Sequence, residues 1–411
     1  MKKYFYDNLI IGAGPAGLFT ACNLDRNQTI CILEKTGKPG QKLLMAGGGQ
    51  CNMTHAGDIK DFMEHYGKAG KKIRQVLYKF NNKMLIHYFE KSHLKMIIRE
   101  DNKVFPESLK GRDVLNTLLQ NCRDNQVDIH YHQEIESVAY SDEKIFHVKT
   151  KDREYSCHNL IIATGGCSYP TTGSDGEFFK HLRALGVGIS ELYPALVPIE
   201  VKDYPYTSLA GISLENVKVS IKRDSKKIAS LTGDILFTHK NFSGPVILNI
   251  SRDIRPGDQL EISYYNHQDR ETLRRELGEF LKRNPGTLSN LVREYTHLPK
   301  RLLDTLLAKL QLEEIPLSNL SKMDIHKIVD SLTADTHGVI GTAGFNSAMV
   351  TSGGVLLEEV DFKTLSHKKN GQLFFAGEVL DVDGDTGGYN LQFAFSSAYA
   401  CSKGICAVHK K

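Results

Sequence analysis

Asp7-Asn8-Leu9-Ile10-Ile11-Gly12-Ala13-Gly14-Pro15-Ala16-Gly17 opens the chain, leads into an apolar, small-residue run over residues 18–24, and is followed by Thr29-Ile30-Cys31-Ile32-Leu33-Glu34. The order reads as a buried strand, a glycine turn, a helix and a second strand ending in an acid. Each glycine has its own mechanical role. Gly12 permits the tight turn, Gly14 lets the backbone approach a pyrophosphate, and Gly17 lets helix and strand pack closely. The helix N-terminus offers unpaired N–H groups and a positive dipole end to phosphates. Glu34 stands about 20 residues further on, where a carboxylate accepts from ribose hydroxyls. That acid suits a ribose without a 2′-phosphate, as in FAD or NAD. The stretch predicts an α/β fold built on a Rossmann-like dinucleotide-binding domain.

The bulk numbers narrow the classes. The chain has 411 residues, enough for two or three domains. Hydrophobic residues make up 41% and charged residues 24%, an ordinary globular balance. No apolar run approaches membrane-spanning length, so no membrane partner is expected. Met1-Lys2-Lys3-Tyr4 could pass for the start of a signal peptide, but the apolar run after it is broken by glycines. A cytoplasmic location is expected. The cysteines, Cys22, Cys31, Cys51, Cys122, Cys157, Cys167, Cys401 and Cys406, form no C-x-x-C pair and read as reduced thiols. No metal site is expected. The net charge of +4 falls short of a dedicated nucleic-acid binder but permits a polyanionic partner.

Further glycine-rich segments recur along the chain. Leu43-Leu44-Met45-Ala46-Gly47-Gly48-Gly49-Gln50-Cys51-Asn52-Met53-Thr54 suits backbone passing close to a flat ligand rather than a helix or strand interior. Residues 60–125 read as helical, with amphipathic stretches at 71–80 and 85–94, a turn at 105–108 and a helix at 113–122. The lysines within residues 67–74 form a basic cluster that serves either as a solvated face or as a phosphate-backbone contact. Residues 127–131, 135–140 and 145–150 alternate like strands. Leu160-Ile161-Ile162-Ala163-Thr164-Gly165-Gly166 is another buried strand ending in a glycine turn. Beyond residue 190 the composition turns to short β-type runs at 196–201, 217–221, 235–237 and 260–264, then to Leu-rich helical spacing over 268–332. The last segment returns to the first pattern. Gln372-Leu373-Phe374-Phe375-Ala376-Gly377-Glu378 reads as a strand ending in an acid–glycine turn, and a small-residue helix is expected over residues 393–405. Its N-terminal dipole would favour an anionic reduced flavin ring.

Four cofactor-like segments, 12–17, 47–54, 163–166 and 377–392, thus stand in order. With Leu236-Phe237-Thr238-His239 and Ser243-Gly244-Pro245, and with Gly377-Glu378-Val379-Leu380-Asp381-Val382-Asp383-Gly384 through Gly387-Gly388-Tyr389-Asn390-Leu391-Gln392, the chain resembles the BaiN/RdsA-type, aminoacetone-oxidase-like FAD-dependent oxidoreductases over nearly its whole length. The resemblance implies a Rossmann-like FAD-binding domain (1–190 and 351–411), an inserted β-barrel-like domain (191–267 plus about 333–350) and a small helical domain (268–332). It implies bound FAD with NAD(P)H as a transient donor. The cofactor contacts expected are Gly12, Ala13, Gly14, Pro15, Ala16, Gly17, Glu34, Lys35, Lys42, Gly48, Gly49, Gln50, Cys51, Asn52, Thr54, Ile135, Ala163, Thr164, Gly165, Gly377, Glu378, Asp383, Gly388, Tyr389, Asn390 and Leu391. Members of the family are linked to reduction of unsaturated substrates, including a uridine of large-subunit ribosomal RNA. Relatives usually carry Arg where this chain has Gln50, so a fixed charge is replaced by a neutral amide.

A reductase also needs a proton source beside the flavin. Cys51, Tyr389 and His239 are the candidates, each against a packing or structural alternative. A flavin–disulfide relay is disfavoured, because the next cysteine after Cys51 is Cys122. Gly341-Thr342-Ala343-Gly344 lacks the strand and helix of a second dinucleotide fingerprint, so NAD(P)H would have to dock at the flavin face. Three functions remain open: a reductase of uridine in ribosomal RNA, a small-molecule ene-reductase or amine oxidase, and a non-catalytic FAD-binding scaffold.

Overall fold

A computed structural model of the chain describes residues 2–266 and 269–408. It divides into two compact units, Met1–Ala195 with Phe345–Lys411, and Leu196–Gly344.

The first unit is built on a sheet whose parallel strands run in the order Leu373–Phe375, Arg153–Ile162, Lys2–Ile11, Ile30–Leu33 and Asp128–His130. Leu9, Ile10, Ile11, Leu160, Ile161 and Ile162 are all buried, as a parallel sheet covered on both faces requires. The register sets Ile11 opposite both Leu33 and Ile162, and Ile162 opposite Phe375. The carboxyl ends of these strands are therefore level. The glycine turns that follow them emerge along one edge, where ligands of open α/β sheets bind. The antiparallel hairpin of Ile135–Tyr140 and Phe146–Thr150 pairs with the first half of Arg153–Ile162. Pro15–Asn23 forms the first helix, with Gly14 at its N-cap and Pro15 in the first turn.

Two local expectations are corrected. Within the stretch read as helical, Met96–Ile98 and Lys103–Pro106 form a hairpin, and the second strand also pairs with Thr54–His55. The turn expected at 105–108 accordingly begins inside a strand. β-Branched and aromatic residues flank a tight reversal in which Asn102 adopts a left-handed φ of 60° and its N–H donates to Arg99 O. The last helix spans Tyr389–Val408 and starts four residues earlier than its small-residue run suggests. Gly387 and Gly388, at φ 121° and 99°, absorb the reversal just before it.

The second unit contains a closed six-stranded antiparallel barrel: Ile199–Val201, Phe242–Ser243, Lys226–Phe237, Ser213–Arg223, Gln259–Ser263 and Asp335–Thr342. The apolar run after Gly244 is a helix, Pro245–Ile250, with proline in its first turn. Helices Arg270–Arg283, Leu288–Thr296, Lys300–Lys309 and Lys322–Thr333 share one apolar core with the barrel through Leu273, Leu306, Ile328 and Ile262. Among the described residues no helix is long and apolar enough to cross a membrane.

Candidate active site

Close approach explains the first glycines. At φ 106°, a Cβ on Gly12 would stand 2.5 Å from Ala163 O, and one on Gly17 would stand 2.0 Å from Gly12 O. Gly14 is different: nothing lies within 4 Å of where its Cβ would be, so its backbone faces open space. The other turns gather about this one. A Cβ on Gly377 would meet Ala16 Cβ at 2.8 Å, and one on Gly388 would meet Thr54 backbone at 2.7 Å. Segments 12–17, 47–54, 163–166 and 377–392 are thus neighbours on one side of the first unit.

The charged residues expected at the site are already bound to the frame. Glu34 is buried; its Oε2 accepts from Ala13 N–H at 2.9 Å, and its Oε1 from Thr36 N–H and Oγ1, each at 2.8 Å. Gln133 N–H donates to Glu34 O at 2.9 Å, which brings the segment leading to Ile135 alongside. Lys35 pairs with Asp175 at 2.6 Å and Glu177 at 3.0 Å. Desolvation works to lower its pKa, but the hydrogen bonds to those two carboxylates raise it. Lys42 Nζ donates to Ser168 Oγ at 2.6 Å and to Glu378 Oε2 at 2.7 Å. Glu378 Oε1 also accepts from Thr351 N–H at 2.9 Å. This ion pair lies beside the Ala163-Thr164-Gly165 turn, since a Cβ on Gly165 would be 3.7 Å from Glu378 Oε2.

The segment 47–54 winds through left-handed conformations at Gly47, Gly48, Gly49 and Cys51, with φ between 58° and 89°. Gly48, like Gly14, faces open space. Gln50 Oε1 accepts from Arg99 Nη2 at 2.7 Å, and the Arg99 guanidinium lies 4.0 Å over the Phe105 ring. Cys51 is fully buried, and burial pushes its thiol up to about 12. Asn52 Oδ1 is buried without a hydrogen-bond partner. Thr54 Oγ1 donates to Gln392 Oε1 at 2.6 Å, tying the segment to the final helix.

At the start of that helix, Asn390 closes its own turn: Oδ1 accepts from Gly384 N–H and Nδ2 donates to Gly384 O, both at 2.8 Å. Asp383 lies in the same turn, and Leu391 packs against the core. Tyr389 is buried, with the phenol pushed up to about 12 first by desolvation and then by Asp385. Its ring is near-parallel to His65, with centroids 4.0 Å apart, and to His55 at 5.6 Å; Phe62 and Tyr66 meet it edge-on. His65 Nδ1 is 3.0 Å from Asp385 Oδ2. His239 belongs to the other unit, exposed in the loop before Phe242–Ser243. Sequence reading missed His65 and Asp385. Asp385 sits inside the quoted motif, whereas nothing local marks His65.

The model of the HI0933-like protein Rossmann domain family matches residues 6–404. The chain belongs to this family. It is 31% identical to a ribosomal RNA dihydrouridine synthase of Escherichia coli, over 98% of both chains. Identity is 32% to the ribosomal RNA dihydrouridine synthase of Haemophilus influenzae, over 98% of this chain and 99% of that one. A 3-dehydro-bile acid delta(4,6)-reductase of Clostridium scindens is 27% identical over 96% of this chain and 97% of its own. Among solved structures, a 3-ketosteroid-delta4-(5alpha)-dehydrogenase of Rhodococcus jostii superposes with a TM-score of 0.52 at 14% identity, covering 99% of this chain and 97% of that one. That likeness shows the fold. The family consists of FAD-dependent oxidoreductases, and this member is an enzyme of that class.

The residues present fit a bound dinucleotide. Gly14 and Gly48 leave backbone open to a ligand, no side chain caps the helix Pro15–Asn23, and Asn52 presents a buried acceptor that a ligand N–H would satisfy.

Proposed function

We propose that this member of the HI0933-like family reduces a carbon–carbon double bond conjugated to a carbonyl, with a uridine of large-subunit ribosomal RNA as its substrate. The observation that carries the reading is the whole-length similarity to two ribosomal RNA dihydrouridine synthases. The bile acid reductase supports the broader chemistry, since a 3-dehydro-Δ4,6 steroid and a uracil both present an unsaturated carbonyl. FAD supplies the hydride chemistry when bound. Gly12, Ala13, Gly14, Ala16 and Gly17 would hold its pyrophosphate at the helix N-terminus. Glu34 would accept from the ribose through lone pairs its backbone partners leave open. Segments 47–54 and 377–391 would enclose the ring, with Asn52 as an acceptor. Lys42 and Glu378 act as a fixed frame beneath the turns rather than as mobile ligands, because each already satisfies the other.

Reduced nicotinamide nucleotide is the proposed electron donor, docking transiently, and the cytoplasm is the compartment where ribosomal RNA is met. A uridine in folded RNA would have to leave its stack to reach the site, the strained step that base-modifying enzymes share. The small-molecule reading differs only in what fills the site. Anaerobic mixing of FAD-loaded protein with NADH and with NADPH tests the donor. Mass spectrometry of ribosomal RNA from a deletion strain tests the substrate. Loss of one dihydrouridine is expected; an unchanged dihydrouridine content refutes the RNA assignment and leaves a small conjugated carbonyl compound as acceptor.

A further inference from the structure

We propose that His65 donates the proton to the substrate carbon and that Asp385 orients it for this task. This rests on reading the chain as a reductase of a conjugated double bond. Saturating such a bond adds a hydride to one carbon and a proton to its neighbour. The hydride comes from reduced flavin, which a reduced nicotinamide nucleotide recharges. The proton must come from a side chain or from water.

The donors suggested by sequence are poorly suited. Cys51 is fully buried and holds its proton up to about pH 12, and Tyr389 does the same beneath two imidazoles. His65 has the complementary properties. Its side chain is 37% exposed. Nδ1–H donates to Asp385 Oδ2 at 3.0 Å, and Asp385 N–H donates back to His65 O at 2.9 Å, so backbone and side chain clasp the same pair of residues. Tyr389, with its ring plane within 16° of the imidazole, fixes the tilt of the ring. With Nδ1 engaged, Nε2 is left without a partner within the described residues. A carboxylate on one imidazole nitrogen with the other nitrogen open is the arrangement of an oriented acid–base histidine.

Placement supports the role. Asp385 lies in the turn 382–388, between the buried strand Leu373–Phe375 and the final helix, and Gly388 of that turn touches Thr54. Tyr66 OH donates to Tyr389 O at 2.7 Å and anchors the His65 segment to the helix start. The dyad is thus attached to both segments proposed to enclose the flavin ring. In the step, the hydride brings its own electron pair to one carbon, the π pair of the double bond moves to the neighbouring carbon and takes the proton as the Nε2–H bond of the imidazolium breaks, and solvent reprotonates the neutral ring.

The test separates donor from framework. FAD content and the rate of reduction of bound FAD by NADPH or NADH are measured for His65→Gln and Asp385→Asn, and reoxidation is compared between samples brought to equal reduced-flavin content. Reoxidation of the reduced protein by unmodified large-subunit ribosomal RNA, or by a conjugated enone, should slow by about 10²–10⁴-fold in His65→Gln, the range for a general acid, and by less in Asp385→Asn. A readout independent of turnover is ¹⁵N NMR of the imidazole in flavin-free protein: Nδ1–H should dominate at high pH in wild type and lose that dominance in Asp385→Asn. An Nε2–H tautomer, or reoxidation of His65→Gln within about tenfold of wild type, overturns the proposal. Reduced wild type that no conjugated acceptor reoxidises overturns the reductase reading, and the donor role with it.

Discussion

Each of the two units holds a histidine–carboxylate pair, and the two pairs are built to opposite ends. In the barrel, Asp335 is almost wholly buried. Its Oδ2 accepts from His337 Nε2 at 2.6 Å, from Tyr264 OH at 2.9 Å and from Tyr206 OH, while Oδ1 accepts from Lys309 Nζ at 2.6 Å. Four donors converge on this buried carboxylate, and the result is a knot joining barrel strand to helix. In the FAD-binding unit, the His65–Asp385 pair reaches solvent, and among the described residues His65 Nε2 has no hydrogen-bond partner. What separates the two pairs is burial: the side chains of His337 and Asp335 are 4% and 2% exposed, those of His65 and Asp385 37% and 23%. Burial sets how much of its stability each unit loses when the carboxylate is removed.

The sharpest way to break this comparison is to truncate both carboxylates. Asp335→Ala should cost about 3–5 kcal/mol, because Lys309 and His337 lose a buried counter-ion, and hydrogen exchange across residues 199–342 should accelerate. Asp385→Ala should cost under about 1 kcal/mol, as a partly exposed pair does. Similar losses at both sites would end the distinction.

A second contrast lies among the glycines. Gly14→Ala has room within the protein, so stability should stay within about 0.5 kcal/mol of wild type. FAD affinity should nonetheless fall by tenfold or more, about 1.4 kcal/mol, in a fluorescence titration. Gly17→Ala meets Gly12 O at 2.0 Å and should damage the fold itself.

Acid gives a smaller, graded effect. Burial pushes Asp335 up, but the hydrogen bonds and charges of His337 and Lys309 outweigh it and hold the carboxyl at about 2. A depressed carboxyl stabilises the fold fully above its unfolded pKa. That stability should be lost as pH falls from 3.8 through about 2, seen as a declining urea midpoint for the barrel unit. Asp335→Ala should flatten the decline.

The smallest effect is expected at Cys51. Cys51→Ala should reduce turnover by less than tenfold, well under the ~10²-fold minimum for a lost general acid. A larger loss with intact flavin binding would move the proton source from His65 to the thiol.

The sequence was most legible where chemistry and backbone conformation coincide. Gly12, Gly17 and Gly388 are places where a Cβ would collide with backbone, so residue identity alone announces the turn. The order of buried strands could be read because parallel strands are apolar on both faces. What stayed hidden was pairing across long separations. Lys42 meets Glu378 across 336 residues and His65 meets Asp385 across 320, and neither partner carries a local signal of the other. The hairpin at residues 96–106 is hidden for another reason: helices on both sides share its apolar content, and the left-handed positions that bound and turn it, His93, Asn102 and Leu109, are not glycines. His239, singled out by motif, lies in the inserted barrel unit as the motif order implies, and is exposed there.

Gln50 has one further consequence. The amide, at a position where the resemblance led one to expect arginine, is itself gripped by a guanidinium, delivered by Arg99 from the tip of a hairpin and steadied on Phe105. A fixed positive charge thus stands beside this turn although position 50 is neutral. Tuning of this corner is thereby handed to the 96–106 hairpin, whose second strand pairs with Thr54–His55, so that the guanidinium and the end of the glycine segment are carried by one small sheet.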